Sequence, residues 1–144
     1  MFDFKESFNA GMSVAEKAEE NHHEINQVFD ELNKQLDEIS EGKIEIDIRE
    51  FSIPDNPLNV FGKRETYLSI CARNPKSEMN SWKQLARWEQ DSFGYPCKIK
   101  IDQATRFCGD QEALSDALSE MLSNVDVAKT LRALITIPSS GEEF

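Results

Sequence analysis

The stretch Ala15–Ile39, AEKAEENHHEINQVFDELNKQLDEI, decides the fold. Its apolar residues Ala15, Ala18, Ile25, Phe29, Leu32, Leu36 and Ile39, with His22 completing the series, step alternately by three and four. That is a heptad seam, and it predicts a long amphipathic helix. The opposite surface carries Glu16, Glu20, Glu24, Asp30, Glu31, Asp37 and Glu38, continued by Glu41 and offset by Lys17 and Lys34. One side of the helix is therefore apolar and the other is a ridge of carboxylates.

Working outward from this helix, Ser13 and Glu16 form a capping-box pattern at its start. Gly42 is its stop after Ser40, giving a length of roughly 40 Å at ~1.5 Å per residue. Residues 1–12 read as a separate short arm that folds Phe2, Phe4 and Phe8 onto the body, with Gly11 breaking the pattern.

On the C-terminal side, Lys43–Phe51 alternates Ile44, Ile46 and Ile48 with Glu45, Asp47 and Arg49, as a strand with one buried face does. Ser52–Gly62, punctuated by Pro54 and Pro57, is a loop whose Leu58, Val60 and Phe61 pack down. Thr66–Arg73 is a second strand, with Tyr67, Ser69 and Cys71 facing away from Leu68, Ile70 and Ala72. Ser81–Gln90 fits either a strand or a short helix, and its aromatic content favours the strand. Ser92–Pro96 is a turn, Cys97–Asp102 a strand, and Thr105–Cys108 a short strand after a reversal at Gln103. Four or five strands with short connections predict an antiparallel meander.

Asp110 is an N-cap for a helix burying Ala113, Leu114, Ala117, Leu118, Met121 and Leu122. Ser123-Asn124 interrupts and recaps. A last helix buries Val127, Ala128, Leu131, Leu134 and Ile135 and ends at Pro138. The expected fold class is α+β: a long N-terminal helix, an antiparallel sheet and two short C-terminal helices. Residues 1–138 form a single domain, followed by a flexible acidic tail over 139–144. The helix seam packs on one sheet face. The competing arrangement pairs the seam with a second chain as a homodimer. Its flanking positions, Asn21, Asn26, Val28, Asn33 and Gln35, carry no charge except Glu19 among them, which gives charge-directed pairing little support.

The chain has 144 residues, 39% hydrophobic and 30% charged, with a formal net charge of -11. That suits a soluble globular domain and repels nucleic acid and anionic membrane. Residues 1–42 carry a net -8, residues 43–109 a net +2 and residues 110–144 a net -5. The acid thus sits on the helices, and the sheet is slightly basic. Cys71, Cys97 and Cys108 are odd in number and lack CxxC spacing, so the expectation is buried reduced thiols in a reducing cytoplasm. There is no signal-peptide pattern and no run near the ~18 apolar residues of a membrane span.

Chemistry-bearing patterns are sparse. His22 and His23, with Glu19, Glu20 and Glu24, give E-x-x-H spacing twice, but a bridged metal site also needs carboxylates from other inward-facing helices. The expectation is a structural role, with His22 as a pH-sensitive packing point between pH 7 and 5.5. Phosphate-loop, nucleophile-elbow and zincin motifs are missing. Lys83, Arg87, Lys98, Lys100 and Arg106 lie among Trp82, Trp88, Phe93, Tyr95 and Phe107. Basic grooves with stacking rings bind single strands, but core aromatics with bases snorkelling at strand edges fit this small positive excess better.

The reading is a non-enzyme without cofactor or metal: a small acidic cytoplasmic protein that neutralises a basic protein partner through the helix carboxylates. The specific expectation is a bacterial toxin-immunity or antitoxin-like protein that caps a cationic nuclease toxin. It makes no direct contact with nucleic acid or membrane. The alternatives are a nucleic-acid mimic inhibiting a DNA-binding protein, and a structural subunit that dimerises through the long helix.

Overall fold

The computed structural model describes residues 2–53, 65–78 and 81–138. Its elements are α1 (Phe4–Ser40), β1 (Glu45–Ser52), β2 (Thr66–Arg73), β3 (Lys83–Asp91), β4 (Gly94–Ile101), β5 (Ala104–Cys108), α2 (Gln111–Leu122) and α3 (Val125–Ile135). The fold is α+β. All five strands pair antiparallel with their sequence neighbours, in the order β1-β2-β3-β4-β5. The ambiguous segment is a strand. The predicted loop core (Pro54, Pro57, Leu58, Val60, Phe61) and the tail over 139–144 lie outside the described residues.

The helices cover one face of the sheet. Ile46, Ile70, Ala72, Ala86, Trp88, Cys97, Ile99 and Cys108 form a single core with Ile25 of α1, Leu114, Leu118 and Met121 of α2, and Val127 and Leu134 of α3. Trp88, 2% exposed, meets the edge of Phe29 at 5.4 Å between ring centroids. The three thiols are free and buried, packed as small apolar groups. Asp110 caps α2 by accepting from the Ala113 amide at 2.8 Å. Asn124 caps α3 by accepting from Asp126 and Val127.

Four expectations need correction. The helix does not begin at Ser13: it starts at Phe4, where Asp3 accepts from the Glu6 amide at 3.2 Å, and it runs unbroken through Gly11. One glycine costs a helix only about 1 kcal/mol, and Phe4, Phe8 and Gly11 stand in register with the seam that follows. The resulting 37-residue helix is roughly 55 Å long. Second, the seam is docked only in part. Ile25, Phe29, Leu32 and Leu36 pack into the core, whereas Ala15 is exposed and Ile39 is 80% exposed. Third, the turn after β3 is only Ser92-Phe93, and Gly94-Tyr95-Pro96 already belongs to β4. Fourth, in α3 Ala128 and Ile135 are exposed and not buried, whereas Val127, Leu131 and Leu134 pack on the core.

Polar residues flanking the seam fix the docking. Asn33 Nδ2 donates to the Ile46 carbonyl at 2.9 Å, and Asn33 Oδ1 accepts from the Ile46 amide at 2.7 Å, so one side chain closes the outer edge of β1. Asn21 Nδ2 donates to the Phe93 carbonyl at 3.0 Å. Ser40 Oγ accepts from the Lys43 and Ile44 amides at the helix exit, where Glu41 and Gly42 both take positive φ.

Candidate functional site

The outward side of α1 is where the predicted partner-contacting residues lie. Glu24, Glu31 and Glu38 recur every seven residues, so they form a row with a repeat of roughly 10.5 Å. Asp30 and Asp37 stand beside the last two, and Glu16 and Glu20 extend the row toward the N-terminus. Glu16, Glu20, Asp30, Glu31, Asp37 and Glu38 are exposed. Among the described residues the ridge has one ion pair, Lys17 Nζ to Glu20 at 3.6 Å, with both side chains exposed. Glu31 accepts from Gln35 at 2.9 Å. Glu24 differs: it is half-buried and accepts from the Tyr95 hydroxyl at 2.8 Å, which ties α1 to β4. Burial and this carboxylate both hold the Tyr95 phenol far above its ordinary value.

Four cations of the sheet pair with sheet or α2 carboxylates and not with the ridge. Arg73 pairs with Glu45 at 2.9 Å, Arg49 with Asp47 at 3.5 Å and Lys98 with Glu89 at 3.9 Å. Arg106 bonds Glu120 of α2 at 2.5 Å, and this contact raises the pKa of its guanidinium.

The fold adds two acids that helix periodicity does not reveal. A cleft of about 610 Å³ between α1 and β1 is lined by Asp30, Asp37, Glu45 and Asp47, with Lys34, Asn33, Ile44, Ile46 and Pro75. Asp30 and Asp37 therefore face a concave edge of the molecule beside the ridge. The sequence signal was present in the alternation of β1, which puts Glu45 and Asp47 on one strand face. Their closeness to α1 depends on the side on which the helix docks.

The basic and aromatic residues separate. Trp88 and Tyr95 are buried core. The open face of the sheet carries Arg49 and Arg73 against the Trp82 ring, at 5.1 and 4.6 Å, and Arg87 over Tyr67 at 4.2 Å. A groove of about 880 Å³ on this side includes Tyr67, Arg87, Glu89, Asp91, Lys98, Lys100 and Phe107. Arg87 lies over Tyr67, and Lys98 sits beside Glu89 and over Phe107, an arrangement that stabilises long side chains on a sheet surface.

His22 and His23 do not converge on a ligand site. His22 Nε2 donates to the Ser92 carbonyl at 3.0 Å, and its Nδ1 accepts from Gln90 at 2.8 Å. His23 bonds Gln27 at 3.2 Å. Among the described residues no cluster of three or more His, Cys, Asp or Glu side chains is arranged to hold a metal ion, and no helix is long and apolar enough to cross a membrane. The chain matches no protein-family model, no curated protein and no solved structure.

Proposed function

We propose that the protein is a binding protein whose α1 carboxylates receive a basic protein partner. The observation that carries this reading is the exposed ridge, unmatched by the sheet's cations, with Asp30 and Asp37 lining the adjoining cleft. Exposed carboxylates at a repeat of roughly 10.5 Å suit lysines or arginines spread along an extended surface. The cleft suits a single inserted basic side chain. Long-range attraction raises the rate of encounter, and close pairs at the cleft slow release. A cationic nuclease domain fits this surface, which makes an immunity- or antitoxin-like capping protein the specific form of the proposal. Three buried thiols fit encounter in a reducing cytoplasm. The arginines and lysines on the open sheet face fit a protein-binding role better than mimicry of nucleic acid, which needs acid across most of the surface.

The test begins with the partner that co-purifies with the tagged protein from its native host. A basic partner is expected, with an association rate that falls steeply as salt rises. Glu31→Lys with Glu38→Lys slows association, and Asp30→Asn with Asp37→Asn speeds dissociation. A neutral or acidic partner, or binding indifferent to salt and to these changes, overturns the proposal.

A further inference from the structure

The N-terminal third of α1 is exposed along its length, with Phe2 stacked on Phe4 at 5.8 Å between ring centroids. From Phe4 to Lys17 every residue is exposed, yet the heptad seam continues through this arm as Phe4, Phe8, Gly11, Ala15 and Ala18. Phe2 is 85% exposed, Phe4 74% and Phe8 67%, with Met12 and Val14 flanking the seam at 54% and 56%. An isolated helix of about 14 residues is marginal in water unless its apolar face is packed. A glycine and three naked phenylalanines make this one poorer still.

We propose that the arm pairs with the arm of a second copy of this chain, antiparallel. Three features select that occupant. The first is size. Large residues, Phe4 and Phe8, occupy one end of the seam, and small ones, Gly11, Ala15 and Ala18, occupy the other. Antiparallel pairing lays the large end of each arm on the small end of its partner. Parallel pairing sets phenylalanine on phenylalanine and leaves a gap at the glycine. The second is charge. Lys5 and Glu19 flank the same side of the seam at opposite ends, so antiparallel arms bring each Lys5 toward the other chain's Glu19. The third is area. At roughly 150–250 Å² per aromatic side chain, the exposed apolar residues of two arms supply roughly 1,000–1,200 Å², the lower end of what specific interfaces bury. Antiparallel arms also keep the two folded bodies at opposite ends. Parallel arms drive them together where the sheet already covers the seam.

Sedimentation of the full chain tests this. A concentration-dependent dimer is expected, and a monomer at every concentration overturns the proposal. Phe8→Asp abolishes the dimer while the near-ultraviolet circular dichroism of the body, dominated by Trp88 packing, is unchanged. A dimer that survives this change places the contact elsewhere and overturns the proposal. Lys5→Glu and Glu19→Lys each weaken association on the order of ten-fold, through two repulsive contacts per dimer. The Lys5→Glu/Glu19→Lys double variant restores it. Weakening without restoration rules out the antiparallel register.

Discussion

At the scale of single residues, the fold is fixed by a few polar side chains that no hydrophobic pattern identifies. Asn33 satisfies both backbone groups of Ile46. Replacing it with Leu keeps the volume and strips both bonds, and the cost is about 1–3 kcal/mol, read as a fall in the urea midpoint at unchanged slope. Gly94 has φ +102, and a Cβ there would stand 2.6 Å from Asn21 Cβ. Gly94→Ala therefore combines backbone strain with a clash against α1 and loses at least ~2 kcal/mol in the same measurement. The thiols respond to alkali. Burial pushes Cys97 up to about 12, with Cys108 alongside adding to the effect, and it also raises Cys71 and Cys108. The unfolded chain ionises its thiols near the ordinary 9.0, so the folded state holds protons that the unfolded state releases. This contribution is complete below pH 9 and is lost as pH rises from 9 to about 12. Denaturant midpoints should fall over that window, and a thiol reagent at pH 8 should find no reactive cysteine until the protein unfolds.

At the scale of elements, α1 is two helices in function. The segment from Ala18 to Ser40 is bound to the sheet by Ile25, Phe29, Leu32 and Leu36 and by the asparagine contacts. The segment before it is exposed up to Lys17, so deletion of residues 2–14 should leave the thermal midpoint within a few degrees while removing self-association. The ridge divides in the same way. Glu31 and Glu38 are exposed and make no contact with the sheet. Reversing their charge should leave stability within about 0.5 kcal/mol. Glu24 accepts from Tyr95, and Glu24→Lys leaves that half-buried hydroxyl facing a cation, at a cost of about 1–3 kcal/mol. The pair of measurements separates the acids that the fold does not need from the one that serves it.

Over the whole molecule, charge and shape follow the layers. The helix layer presents carboxylates outward, and on the open sheet face Arg49, Arg73, Arg87 and Lys98 are held by carboxylates or rings of that face. How much of this was legible in the sequence depends on range. Periods of two and of three to four are local, so the helices, an antiparallel meander of four or five strands and the caps at Asp110 and Asn124 could be read directly, with Ser81–Gln90 left between strand and helix. The extent of α1 could not. Gly11 and Ser13 are local stop and start signals, and a seam in continuous register outweighs them. The ridge was visible as a heptad pattern in Glu24, Glu31 and Glu38. The cleft beside it was not, because Glu45 and Asp47 belong to another element. The sequence by itself determined the order and kind of most elements and that α1 has an apolar and an acidic side, since both follow from spacing along one chain. Only the tertiary structure decided how far the sheet covers that apolar side, because this depends on where Asn21, Asn33 and Ser40 find backbone partners, and backbone partners are set by packing and not by spacing.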